Sequence, residues 1–331
     1  MPLTLQDVYA ARQRIAGTAM RTPTIVSALS ARVGHKVALK LETLQPIGAF
    51  KIRGAANAIA RLSQAERERG VVCCSTGNHG RAVAYAAKKH SARAVVCLSK
   101  LVPEVKVAAI EALGAEVVRI GKSQDEAGEE AQRLVEDQGM INIPPFDHPD
   151  VISGQGTIAL ELLEDHPDLG TIVVPLSGGG LIAGIAMAAK SINPAIRVVG
   201  VSMDRGAAMA ESLAAGKPVE VEEVASLADS LGGGIGLDNR HTFTLCQRHV
   251  DDVILLSEEE IYAGMRSLFF DDRLVAEGAS AVGHGALISD KLKLDGPAAM
   301  IISGANVDMQ QFSNVMGGRP INLEGKMVGP A

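Results

Sequence analysis

The sequence predicts an α/β protein built on parallel sheets covered on both faces, and three observations lead there. Short, continuously apolar runs alternate with helical segments along most of the chain. That is the pattern of strands covered on both faces by crossover helices. Glycine is abundant, at 35 of 331 residues, and it clusters where apolar runs give way to helices. In open α/β sheets those strand ends are where ligands bind. Hydrophobic residues make up 47% of the chain, enough for the core of one large domain or two ordinary ones.

Each element has its own warrant. Thr4-Leu5-Gln6-Asp7 reads as a helix start, with Thr4 as cap and Asp7 in the first turn. Residues 37–41 form a short apolar run. Residues 71–74 read as a buried strand and 81–89 as the following helix. A strand is expected at 94–98, then a helix at 103–113, opened by Pro103 and stopped by Gly114. Residues 116–120 read as a strand and 123–137 as an exposed, charge-rich helix. The turn-rich Ile143-Pro144-Pro145-Phe146-Asp147 is the candidate domain crossing. Beyond it, helices are expected at 151–163, 181–190 and 207–215, and strands at 171–174, 197–201, 253–256 and 298–302. Ser257-Glu258-Glu259-Glu260 is a capping box, so these acids read as a solvated helix start. No repeat or low-complexity segment interrupts the pattern.

Composition excludes several functions. The net charge of -6, from 32 basic and 38 acidic residues, offers no basic surface for nucleic acid. Six Phe, three Tyr and no Trp leave few stacking platforms. Cys73, Cys74, Cys97 and Cys246 are not spaced as a disulfide framework, which favours a reduced, cytoplasmic setting. The first residues lack the basic and apolar regions of a signal peptide. Residues 169–189 carry no charge and are long enough to span a bilayer, but Pro175 and Ser177-Gly178-Gly179-Gly180 break them into a strand, a loop and a helix. No P-loop, G-x-S-x-G elbow, H-E-x-x-H or Cys/His zinc spacing is present.

Four segments carry chemistry. In Ile47-Gly48-Ala49-Phe50-Lys51-Ile52-Arg53-Gly54-Ala55, Lys51 sits in an apolar context. A partly buried lysine has a depressed pKa and a nucleophilic amine; the ordinary counterpart is a solvated lysine at a helix start. Ser75-Thr76-Gly77-Asn78-His79-Gly80 offers amides and hydroxyls suited to a carboxylate, or else is a capped turn with His79 in the core. Pro175-Leu176-Ser177-Gly178-Gly179-Gly180-Leu181 lets backbone amides approach a phosphate at a helix N-terminus. Ser303-Gly304-Ala305-Asn306 ends the last strand, where a serine hydroxyl can hold a ring nitrogen, or is simply a turn. One different class stays open. Gly178-x-Gly180-x-x-Ala183 with Asp204 fits a dinucleotide fingerprint, hence a nicotinamide-dependent oxidoreductase.

The order of these segments resembles the pyridoxal-phosphate enzymes of the tryptophan synthase β fold, fold type II. Ala49-Phe50-Lys51-Ile52-Arg53-Gly54-Ala55 with Gly77-Asn78-His79-Gly80 resembles the serine/threonine dehydratase and serine racemase group. Gly154-Gln155-Gly156-Thr157-Ile158-Ala159-Leu160-Glu161 and Ser303-Gly304-x-Asn306-Val307-Asp308 strengthen this, and the likeness runs from about residue 5 to residue 310. Within the group it points toward the dehydratases of hydroxyectoine breakdown, with threonine and hydroxyaspartate dehydratases close by.

The resemblance implies two open parallel-sheet α/β domains, a large cofactor-binding domain of residues 1–54 and 148–331 and a small mobile domain of residues 55–147, with the cofactor in the cleft. It implies that Lys51 carries pyridoxal 5'-phosphate as a Schiff base and later moves the Cα proton. Phe50 would pack beside the ring and Asn78 would bond its hydroxyl. Ser177, Gly178, Gly179, Gly180 and Leu181 would hold the phosphate, and Ser303 would face the pyridine nitrogen. Ser75, Thr76, Asn78 and His79 would bind the substrate carboxylate, with Gly236 and Glu277 near the ring. The reaction implied is β-elimination of a 3-hydroxy amino acid to a 2-oxo acid and ammonia, or racemisation on the same fold. A homodimer is implied, and the chain is too short for the regulatory tail of biosynthetic threonine dehydratases.

Three positions depart from the group. Ala49 stands where serine is common. Thr76 stands at the racemase's second base and is stiffer than serine, so little racemisation is expected. Ser202 replaces the racemase's metal-binding glutamate, so a cation is left undecided, with Asp204 as a different candidate ligand.

Overall fold

The computed structural model describes residues 3–75 and 77–330. The apolar runs become strands in chain order: β1 (Thr24–Val26), β2 (Val37–Leu41), β3 (Val71–Cys74), β4 (Ala94–Leu98), β5 (Glu116–Arg119), β6 (Ile141–Asn142), β7 (Thr171–Pro175), β8 (Arg197–Met203), β9 (Asp252–Leu256) and β10 (Ala298–Ile302). Six of them form one sheet in the order β1-β2-β10-β7-β8-β9, and four form a second in the order β5-β4-β3-β6. The second sheet is drawn wholly from residues 71–142 and is parallel throughout.

The expectation of purely parallel sheets needs one correction. β1 runs antiparallel to β2, with Thr24 opposite Lys40. The connection between them, residues 27–36, is too short for the crossover that a parallel partner requires. The strands β2, β4, β7 and β10 are buried at every residue. Alternate side chains of the larger sheet feed opposite cores: Leu39, Val173, Val199 and Met300 on one face, Ala38, Ile172, Val198 and Ala299 on the other.

Local boundaries also shift. The helix after β3 starts at Asn78 and runs to Lys89, so Asn78 and His79 lie in its first turn and not in a loop. Residues beyond Asp308 are structured: a helix (Met309–Met316) and a hairpin of β11 (Ile321–Leu323) and β12 (Lys326–Val328) place Phe312, Val315, Ile321, Leu323 and Val328 in the core beside the larger sheet. The uncharged stretch 169–189 becomes β7, a loop and the helix Gly180–Ile192. No helix among the described residues is long and apolar enough to cross a membrane.

One helix, Pro149–Asp165, is the axis on which the site is mounted. It meets the helices Lys51–Ala60 and Gly180–Ile192 backbone to backbone. A Cβ on Gly154 would lie 2.5 Å from the Arg53 carbonyl oxygen, and one on Gly184 would lie 2.3 Å from that of Ile152. Both contacts need glycine.

The same junction buries four charges. Arg53 donates to Glu42 through Nε (2.8 Å) and to Glu161 through Nη1 (2.6 Å), and Lys40 donates to Glu161 through Nζ (2.6 Å). Arg53, Lys40 and Glu42 have no solvent exposure at all. Burial pushes the Glu42 carboxyl upward, but Arg53 more than reverses this and holds it below the usual carboxylate range. Replacing Arg53 leaves Glu42 without its ion-pair partner and Glu161 with Lys40 alone. Arg53→Met is expected to cost about 3–5 kcal/mol in urea denaturation at pH 7. The deficit should shrink as the pH falls and the orphaned acids take up protons.

Candidate active site

The C-terminal ends of β3, β7 and β10 converge on a cavity of about 610 Å³ between the two sheets. This is the position that the strand-end rule anticipates. Lys51 enters it from the start of the helix Lys51–Ala60. The loop before that helix is stapled to the loop after β10: the Phe50 amide donates to the Ser303 carbonyl (3.0 Å) and the Ala305 amide to the Gly48 carbonyl (2.8 Å). Lys51 Nζ donates to the Pro145 carbonyl (2.8 Å) and lies 5.4 Å from the centre of the Phe50 ring. Burial lowers its pKa to about 8, with Glu277 opposing. A substantial neutral fraction therefore exists near neutral pH, which makes the amine both a nucleophile and a base.

The glycine loop forms a cradle. Gly179 has a left-handed backbone (φ 88°) and caps the helix Gly180–Ile192, whose first turn carries no acid. The unsatisfied amides of that turn and the helix dipole favour an anion. Phe146 lies across the loop: a Cβ on Gly178 would fall 2.3 Å from its ring, and one on Gly180 would fall 2.9 Å from its Cα. A side chain at either position would collide with Phe146, so the close approach of that turn requires glycine. The turn carrying Phe146 is pinned at both ends. Asp147 accepts from the amides of Arg240, His241 and Thr242 (2.7–2.9 Å), and the Ile143 carbonyl accepts from His79 Nε2 (2.7 Å).

The remaining polar groups face one another. Asn78 Nδ2 donates to both oxygens of Glu277 (3.1 Å each), and Asn78 Oδ1 accepts from Asn306 Nδ2 (2.6 Å). Burial raises the Glu277 pKa to about 7; the Asn78 amide, Ser230 and Lys51 pull it back, while Asp229 adds to the rise. His79 is held neutral, its pKa driven to about 3 by burial and then by Lys51. Its Nε2–H is spent on Ile143, so Nδ1 is a bare acceptor with no protein partner. Ser303 Oγ lies 3.0 Å from Ser280 Oγ. Ser280 accepts from the Gly304 amide and reaches the Gly304 carbonyl, both at 2.8 Å. With the Ser280 proton placed on that carbonyl, the Ser303 hydroxyl donates to Ser280 and turns its lone pairs to the cavity; a half-turn about its Cβ–Oγ bond brings the proton to the cavity instead.

The sequence expectations map onto this cavity unevenly. Phe50, Lys51, Ser75, Asn78, His79, Ser177, Gly178, Gly179, Gly180, Leu181, Glu277 and Ser303 all line it. Thr76 lies outside the described residues. Gly236 is a correction: Gly232, Gly233 and Gly234 line the cavity in its place. The Gly236 backbone is left-handed (φ 79°), and a Cβ there would lie 3.1 Å from Asp238 Oδ1. Ser202 is buried within β8, and Asp204 does not line the cavity. Among the described residues no three His, Cys, Asp or Glu side chains gather as a metal site. Pro145, Phe146 and Arg81 line the cavity without having been singled out. The Pro-Pro-Phe turn was a visible signal, read as a domain crossing and not as a wall.

The site has close counterparts. Residues 15–304 match the pyridoxal-phosphate dependent enzyme family. A putative threonine dehydratase from Sinorhizobium fredii is 50% identical over 318 residues, 96% of each chain. The L-threonine ammonia-lyase of Thermotoga maritima is 40% identical, covering 95% of this chain and 78% of that one. Maize serine racemase matches in structure with a TM-score of 0.89 at 35% identity, covering 96% of this chain and 98% of that one.

Lys51 of the ligand-free protein should be acylated with a midpoint near pH 8, well below an ordinary lysine. Glu277→Gln removes the negative charge that supports the ammonium, so it should move that midpoint lower. Mass spectrometry of Lys51 labelling against pH measures both, and a midpoint above 10 would refute the burial argument.

Proposed function

The chain belongs to the pyridoxal-phosphate dependent enzyme family, and from that premise we propose that its cavity carries out the dehydration of threonine or a close 3-hydroxy amino acid, releasing ammonia and a 2-oxo acid. One observation carries the site assignment. The Lys51 amine stands between an amide cradle without acids, a rotatable hydroxyl and a carboxamide. Those donors suit the parts of pyridoxal phosphate in turn: aldehyde, phosphate, ring nitrogen and ring hydroxyl.

Bound there, pyridoxal phosphate supplies the electron sink that acidifies the Cα proton of an amino acid and lets a β-hydroxyl leave. The chain supplies orientation and proton transfer. The amides of 178–181 and Ser177 hold the phosphate at the helix N-terminus. The Ser303 hydroxyl donates to the ring nitrogen; being neutral, it leaves that nitrogen largely unprotonated, which favours prompt elimination. Asn78 offers its amide to the ring hydroxyl. Ser75 and the first turn of the helix Asn78–Lys89 receive the substrate carboxylate. His79 shapes that wall and offers an acceptor. The neutral Lys51 amine takes the Cα proton.

Relatives named for threonine support that substrate over others; a hydroxyectoine-derived acid falls within the same chemistry. Residues 55–147 contribute one wall of the cavity, and we assign them to a body that closes over substrate. The oxidoreductase reading loses its acidic partner, since Asp204 is not in the cavity.

Purified protein given pyridoxal phosphate should show a long-wavelength absorption band, undisturbed by tryptophan because the chain has none. Lys51→Ala should abolish the band and lower oxo-acid release from threonine by on the order of 10²–10⁴-fold. A wild-type protein with no band, or a Lys51→Ala variant with full turnover, would overturn the assignment.

A further inference from the structure

Asn306 is joined to three partners that fix which way its amide points. Its Nδ2 donates to Asn78 Oδ1 (2.6 Å) and to the Ile47 carbonyl (2.9 Å), and its Oδ1 accepts from Arg81 Nη1 (2.6 Å). Turned end for end, it would set its oxygen against a carbonyl and its NH2 against a guanidinium. Neither contact is a hydrogen bond. The backbone holds it in place as well. The Ala305 amide is tied to Gly48, and the space next to Gly48 is taken by the Asn306 carboxamide, 3.2 Å from where a Cβ would stand.

The fixed orientation propagates. Because Asn306 presents a donor, Asn78 must present its oxygen to it. The Asn78 NH2 then faces the other way, where both Glu277 oxygens lie at 3.1 Å. Arg81 and Asn78 share the first turns of one helix, beside the four-stranded sheet, whereas Asn306 and Glu277 belong to the other side of the cleft. The chain Arg81–Asn306–Asn78–Glu277 thus spans the cavity, with a single consistent direction of donors.

We propose that Asn306 is a positioning residue that sets the polarity of the Asn78 carboxamide, so that Asn78 offers a donor to the cofactor ring. This deepens the proposed function and rests on it. Without the lock, Asn78 can turn its oxygen toward the ring hydroxyl and toward Glu277, and an acceptor then faces two acceptors.

Asn306→Asp tests this at nearly constant size. The carboxylate keeps Arg81 as partner but can no longer donate, so Asn78 is drawn round to give its NH2 to residue 306. Pyridoxal phosphate should bind at least about tenfold more weakly in equilibrium titration of the apoprotein, the size expected for losing a hydrogen bond to a charged oxygen. The apparent pKa of the bound cofactor's long-wavelength band should rise, and kcat should fall more than KM changes. A merely structural role would lower thermal stability and leave the band's titration where it was. Arg81→Glu is the second variant: it demands the Asn306 NH2 from the opposite end and should shift cofactor affinity and band titration in the same direction, by less. If the wild type binds and both variants match it within twofold with unchanged titration, the inference alone fails. If the wild type binds no pyridoxal phosphate, the cofactor reading fails and takes the inference with it.

Discussion

The structure depends on four charges sealed almost wholly from water. Arg53, Lys40, Glu42 and Glu161 meet where β2, the helix Lys51–Ala60 and the helix Pro149–Asp165 come together. Apart from Arg53 and Asn57, the buried face of the helix that carries Lys51 is alanine, glycine and isoleucine, a smooth surface that fixes its axial position poorly. Buried ion pairs contribute little net stability against an apolar alternative, but they reject misregister strongly, because any slip strands a charge. Arg53 lies only two residues from Lys51. Its fork onto two carboxylates therefore sets where the reactive amine stands.

The cavity applies the same physics less completely. Lys51 and Glu277 are both buried, and each is drawn toward neutrality, to about 8 and about 7. Their mutual attraction opposes that drift in both cases. In the tetrad, opposite charges and hydrogen bonds overcome the cost of burial for Arg53 and Glu42, though burial still lowers Lys40; in the cavity they overcome it for neither group. The result is an amine and an acid that both titrate near neutral pH, the range in which a general acid or base works best. His79 is the extreme case, with no opposite charge and no second partner, and it stays neutral throughout the working range.

Much of this was legible in the sequence because the chemistry is local. Lys51, the three glycines, Asn78 and Ser303 each sit in short segments whose residue types have few other uses. What was not legible depends on tertiary paths. Asn78-His79-Gly80 are turn formers by type, yet their amides continue into a helix once β3 is buried beneath them. In the run from Gly232 to Gly236 every residue but Ile235 is glycine, so composition cannot say which lie on the cavity wall; the loop path does. Phe146 covers the glycine loop only because Asp147 and His79 pin its turn from distant parts of the chain. The segment after Asp308 carries few chemical markers and shows its apolar spacing only against the core that it covers.

β10 lies between β2 and β7. It is the keystone that joins the first two strands of the larger sheet to the last three, and it comes from residues 298–302. During synthesis, β1 and β2 leave the ribosome as an isolated antiparallel pair, with the apolar edge of β2 open until residues 298–302 have been made. The four-stranded sheet closes from contiguous sequence long before that. Translation thus imposes an order on a fold that equilibrium would not. The four-stranded sheet is complete early, and the six-stranded one keeps an open edge, exposed to mispairing or to chaperones, until its central strand arrives.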